Sequence, residues 1–163
     1  MTWLLIIGVM GLAISPLLWM RSSPRQKHLE SLRRYARTQG VQVILHKRPE
    51  ARDSETRLEA MCYRLPWRDV SVPQDWVLHR YSQRGWAAPI EGWFWFRGEP
   101  SIDSEELLAE FVCELPDSAT AIICSAAGIS LIWRELESLE TLERLCALLV
   151  KLRKAIEKKH PNT

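Results

Sequence analysis

The sequence predicts an α+β protein: one N-terminal transmembrane helix, then a single soluble domain in which two or three helices pack on a mainly antiparallel sheet of about five to six strands. Three observations lead there. The first 20 residues hold no charged side chain; short β-branched and aromatic runs cluster mid-chain; and segments of helical periodicity stand at intervals among them. Clustered strands favour this class over a doubly wound α/β fold, and no internal repeat is visible.

Residues 2–20 (TWLLIIGVMGLAISPLLWM) number 19, and as a helix they reach roughly 28 Å, close to the roughly 30 Å hydrocarbon thickness of a bilayer. A helix is the required form, because in lipid each backbone N–H and C=O must find its partner within the segment. Pro16 falls near the end, where it removes a single internal hydrogen bond. Trp3 and Trp19 stand near the two ends, where indoles favour the headgroup level.

Direction follows from charge. Residues 21–37 carry six basic side chains (Arg21, Arg25, Lys27, Arg33, Arg34, Arg37) against one acid, Glu30, while none precedes the anchor. The positive-inside rule then puts Met1 outside and the C-terminal domain in the cytoplasm of a bacterial inner membrane. A cleaved secretory signal, cut near Ala13-Ile14-Ser15, would need a basic start that this chain lacks. The expected organisation is a transmembrane helix over 1–20, a basic juxtamembrane helix over 21–39 and a soluble cytosolic domain over 40–163. Within 24–38, Leu29, Leu32 and Ala36 share one apolar side, so Arg33, Arg34 and Arg37 are expected to face lipid phosphate or solvent. Trp3, Trp19, Arg21, Arg25, Lys27, Arg33 and Arg34 are the candidate membrane-interface residues.

Beyond Gly40, a helix C-cap, the run 41–46 (VQVILH) suits a strand, and 47–59 reads as an exposed polar loop. Further strands are expected over 60–67, 75–82 and 90–97. In the last of these, Trp93-Phe94-Trp95-Phe96 puts large aromatic groups on both faces, so that strand is either buried on both sides or shows one face to a partner. Asp103 and Glu106 form a capping-box signature ahead of Leu107, Leu108, Phe111 and Val112. Residues 120–124, a turn at 125–128 and residues 129–135 read as a hairpin. The final segment, 138–159, repeats Leu139, Leu142, Leu145, Leu149, Leu152 and Ile156 at helical spacing and should cover one sheet face.

The chain's net charge is +2, and 21–37 contribute +5 of it, so the remainder is mildly acidic at −3. Such a balance argues against nucleic-acid binding, which needs a clustered basic face. The basic tail Lys151, Arg153, Lys154, Lys158 and Lys159 suits a helix C-terminus. Cys62, Cys113, Cys124 and Cys146 match no metal-ligand or C-x-x-C spacing, and their apolar flanks predict reduced core thiols.

Signatures of chemistry are missing. His28, His46, His79 and His160 fit no metal-binding arrangement, and the sequence has no phosphate-cradling glycine loop, no G-x-G-x-x-G and no nucleophile elbow. No catalytic, cofactor-binding or metal-ligating residue is expected, and no cofactor. The expectation is a non-enzymatic, single-pass inner-membrane accessory or assembly protein. Its partners would be the bilayer and a protein of a membrane complex, with Trp93 and Trp95 as candidate contacts. Two alternatives stand beside it: a membrane-tethered enzyme with a site drawn from Arg64, Arg80, Glu91, Arg97 and His79, and an envelope factor with a periplasmic domain.

Overall fold

A computed structural model describes residues 3, 23–49, 59–68, 75–100 and 102–159, with backbone alone at 102–105 and 159. The fold is α+β: seven antiparallel strands in one sheet, with three helices among the described residues. The chain divides into two compact units, Met1–Ser31 and Leu32–Thr163, so the division falls inside the first helix. The anchor expected over 1–20 lies outside the described residues except for Trp3, which is 77% exposed. Among the described residues no helix is long and apolar enough to cross a membrane.

Helix α1 is Pro24–Thr38, the span that periodicity predicts. Ser23 starts it, taking the Gln26 N–H on its hydroxyl (3.2 Å) while the Gln26 amide oxygen accepts the Ser23 N–H (2.8 Å). This is a reciprocal capping box, followed by Pro24 at the first helical position, where a missing N–H costs nothing. The helix ends in a Schellman motif: Val41 N–H reaches Ala36 O and Gly40 N–H reaches Arg37 O, both at 3.0 Å. Gly40 has φ +76°, the left-handed geometry this cap requires and a glycine tolerates.

The strands are β1 (Gln42–Lys47), β2 (Glu59–Leu65), β3 (Trp76–His79), β4 (Trp86–Ala87), β5 (Phe94–Arg97), β6 (Ala119–Ser125) and β7 (Gly128–Trp133). Helix α2 (Ile102–Cys113) precedes the β6–β7 hairpin, and helix α3 (Leu139–Lys159) closes the described part. In the sheet the order is β1-β2-β7-β6-β3-β5-β4, so the last hairpin made is the sheet's centre. Six of the seven residues of β6 and all six of β7 are buried, which explains their nearly unbroken apolar sequences. At the turn, Gly128 has φ +140°, and a Cβ there would lie 2.3 Å from the Leu65 carbonyl oxygen of β2. A glycine is therefore required where the hairpin passes against β2.

Alternation along the strands divides the core in two. One face gathers Cys62, Val77, Ala121, Ile123 and Ile132, flanked by half-buried Ile44, Ala60, Tyr81 and Phe96. The other carries Tyr63 edge-on to Trp133 (5.4 Å) and Trp76 edge-on to Trp95 (5.8 Å). Helix α3 covers that second face across β2 and β7, and α2 packs on α3. Leu142, Leu145, Leu149, Leu152 and Ile156 form the buried stripe of α3, whereas Leu139, in its first turn, is 38% exposed.

The sheet exceeds expectation by the two-residue β4, too short to leave an alternating pattern. The fourth predicted strand begins late, at Phe94, because Ile90 to Gly92 form a turn with Gly92 at φ +76°. Trp93 and Trp95 are 4% and 1% exposed, so they belong to the core and are not surface contacts. Trp95→Ala should cost about 3–5 kcal/mol, read as a lowered denaturant midpoint.

Cys62, Cys124 and Cys146 are buried and Cys113 is exposed, a departure from the expectation that all four are core residues. Burial, helped by Asp75, pushes the Cys124 thiol up to about 12. Burial, helped by Glu143, pushes Cys146 up to about 11. The unfolded chain ionises these thiols near pH 9 while the fold keeps them protonated, so stability is full below about pH 9 and falls as pH rises towards 11–12. The expected thermal profile is flat to about pH 8.5 and then declines, less steeply in Cys124→Ala. At neutral pH, Cys113 should react with a thiol reagent far faster than the other three.

Candidate functional site

Two features built from side chains distant in sequence stand out, and they meet at consecutive residues after β7. The first is centred on Glu135, whose carboxylate accepts a forked pair from Arg33, Nε at 2.8 Å and Nη2 at 2.6 Å. Its Oε1 also accepts the Tyr63 hydroxyl at 2.6 Å. The Glu135 side chain is 4% exposed and that of Arg33 32%. Three elements thus converge on one carboxylate: α1 through Arg33, β2 through Tyr63, and the segment leaving β7.

The electrostatics agree with the geometry. Burial, reinforced by the carboxylate, drives the Tyr63 phenol well above its ordinary range, so it acts as a donor at any physiological pH. The hydrogen bond to Glu135 holds the Arg33 guanidinium more firmly protonated, against the opposing effect of burial. Glu135 also has φ +56°, the only positive value among the described non-glycine residues. That backbone costs on the order of 1–2 kcal/mol for a residue with a Cβ, and the buried carboxylate contacts hold it in place.

The second feature is a cavity of about 310 Å³. The β2–β7 ladder stops at Cys62–Ile132, so Glu59, Ala60 and Met61 run on without that neighbour. Across the resulting gap stands Tyr81, just past β3. Ile132 and Ala60 supply apolar wall, and Arg48, Glu59 and Arg134 supply charge. The Arg48 guanidinium lies 4.0 Å over the Tyr81 ring, a cation–π contact that fixes both. Trp133, also in the wall, is held by its indole N–H, which donates to Ser118 Oγ (2.8 Å) and Glu137 Oε2 (2.7 Å). A second gap, between α2 and α3, measures only about 20 Å³, room for about one water.

Of the expected interface residues, Arg25, Lys27 and Arg34 are exposed, while Trp19 and Arg21 lie outside the described residues. Arg33, expected to face phosphate or solvent, instead turns Nε and Nη2 to the Glu135 carboxylate and stays only partly exposed. The five scattered candidates are dispersed. Arg64 donates to Ser130 Oγ (3.3 Å), Arg80 to the Ala119 and Pro116 carbonyls (2.7 and 2.5 Å), and Arg97 to Asp75 (3.1 Å). His79 is fully buried with Nε2 3.0 Å from Arg84 O, and Glu91 is exposed on a turn. None of the five lines either cavity. Among the described residues no three His, Cys, Asp or Glu side chains group as metal ligands.

Sequence reasoning missed Arg48, Glu59, Tyr81, Arg134 and Glu135. They lie at strand ends or just beyond them, where no periodicity marks them, and only the strand order brings them together. Comparison with family models, curated proteins and solved structures finds no match to this chain.

Glu135→Ala should destabilise by about 2–4 kcal/mol, discounted for the exposure of Arg33, because it strands the Tyr63 hydroxyl and the guanidinium. Tyr63→Phe should cost about 1–2 kcal/mol. Glu135→Gly should be less damaging than Glu135→Ala by about 1 kcal/mol, reversing the usual order, since glycine accepts the left-handed backbone. Chemical denaturation of the three variants measures all of these.

Proposed function

We propose that this chain is a single-pass inner-membrane protein whose α+β domain is cytoplasmic and serves, by protein–protein interaction, as an accessory or assembly subunit of a membrane complex. The observation that carries the reading is the charge pattern: 20 residues without a charged side chain, followed at once by six basic residues against one acid. Arg25, Lys27 and Arg34, exposed on α1, supply cations for an anionic leaflet.

With Trp93 and Trp95 in the core, the contact with a protein partner is assigned to other apolar groups. Leu45 is 58% exposed on the edge strand β1, and Trp86 is 44% exposed on β4 at the opposite edge. Edge strands offer backbone groups that a partner strand can pair with.

Cys113 is a built-in reporter of topology, being the exposed thiol of the four. A membrane-impermeant maleimide should label it in inverted vesicles and leave it untouched in intact spheroplasts, with Cys113→Ser as the control. Labelling from outside would replace this reading with a periplasmic domain. Extraction in mild detergent should recover one stoichiometric protein partner, lost in Leu45→Asp or Trp86→Ala variants that remain folded. A monomer without partners in native membranes would defeat the accessory role.

A further inference from the structure

We infer that the outer face of the α2–α3 pair is a self-association surface whose partner is a second copy of this chain, held by reciprocal contacts between acid and base. It uses other elements than Leu45 and Trp86 and does not depend on the accessory reading.

Helices α2 and α3 run side by side, since Leu107 and Phe111 of the one and Leu148, Leu152 and Ala155 of the other line the seam between them at successive turns. Phe111, Leu148 and Leu152 are buried in it, and the free space is only about 20 Å³. What this face offers a neighbour is therefore its two rims. The α2 rim is acidic: Glu106, Glu110 and Glu114, the last just past the helix end, stand one turn apart and are exposed. The α3 rim is basic, with Lys151, Lys154 and Lys158 exposed at helical spacing. Glu110, Glu114 and Lys151 line the same seam, yet among the described residues none of the six side chains has an ion pair or hydrogen bond.

Only a partner with an acidic and a basic rim at the same spacing satisfies both at once. A second copy meets that condition by construction. A two-fold axis along the helices, in the plane of contact, lays each copy's α2 on the other's α3, so acid meets base twice. An axis across the helices would set acid on acid. With α2 about 18 Å long and two helices together roughly 20 Å wide, the face measures roughly 400 Å² a copy, or roughly 800 Å² in all. That is below the roughly 1,200 Å² of a stable complex, so the pair is reversible and sensitive to salt.

Cys113 supplies the test, being exposed and three residues from Glu110 on the acidic rim. The two-fold sets the two Cys113 thiols on the order of 10 Å apart, one helix spacing. Purified full chain in mild detergent is treated with a bis-maleimide of that span. A linked dimer should form, vanish in Cys113→Ser, and fall at least about tenfold in about 1 M salt, where the Debye length is about 3 Å. The triple variants Glu106→Lys/Glu110→Lys/Glu114→Lys and Lys151→Glu/Lys154→Glu/Lys158→Glu, each shown folded by circular dichroism, should lose the dimer by a similar factor when alone. Mixed in equal amounts they should recover it, because one then carries two basic rims and the other two acidic ones. Misfolding cannot imitate that recovery. No dimer in the unaltered chain, a dimer that persists in high salt or in either triple variant alone, or no recovery on mixing would overturn the assignment.

Discussion

One buried carboxylate organises the region where helix, sheet and cavity meet. Glu135 is desolvated, so it is tolerable only with its charge matched and its oxygens occupied, and Arg33 and Tyr63 do both. In return the carboxylate holds its own backbone in a left-handed turn. That turn lets the chain leave β7 and head for α3 while Arg134 remains on the cavity wall. An ion pair of this kind adds little net stability compared with an apolar replacement, yet removing one partner strands the others, so α1, β2 and the β7 exit are tied through the same few atoms.

Around that point the rest of the molecule follows ordinary packing logic. The β6–β7 hairpin sits at the sheet centre because it is the most apolar stretch of the domain, and central strands are covered on both faces. Polar groups within the core are tied locally. Ser118 donates to Glu137, both accept from Trp133, and Arg153 on α3 caps the Pro66 carbonyl at 3.1 Å. Arg153 therefore departs from the solvated basic tail of which it reads as part: it is 5% exposed and pairs with Glu157 one turn on at 3.7 Å.

The α+β class, α1, α3 and the central hairpin were legible in the sequence because each rests on local information: Leu29, Leu32 and Ala36 on one helical side, a run of leucines at helical spacing, apolar runs around a glycine turn. Strand order was not, since it depends on which edges remain unpaired after collapse. Trp93 and Trp95 illustrate the difference. Alternation says that both faces of that strand are large and apolar, but only the position of β5 beside β3 shows that Trp95 meets Trp76 and leaves solvent. The cavity was illegible for a stronger reason. Its walls come from four separate stretches of chain, and it exists because one ladder ends before the other.

The central place of β6 and β7 has a bearing on how the chain acquires its shape during synthesis. The β1–β2 pair and the β3–β5 pair are made first, yet each keeps one long edge open until the last hairpin slides between them. Tyr63 and Leu78 gain their last strand neighbours, Leu131 and Ile122, only from this later-synthesised hairpin, so the sheet is rich in contacts between residues distant in sequence. The two half-sheets share no strand pairing except through β6 and β7, and truncation between the end of β5 and the start of β6 leaves two ribbons with open edges in place of a smaller version of the domain.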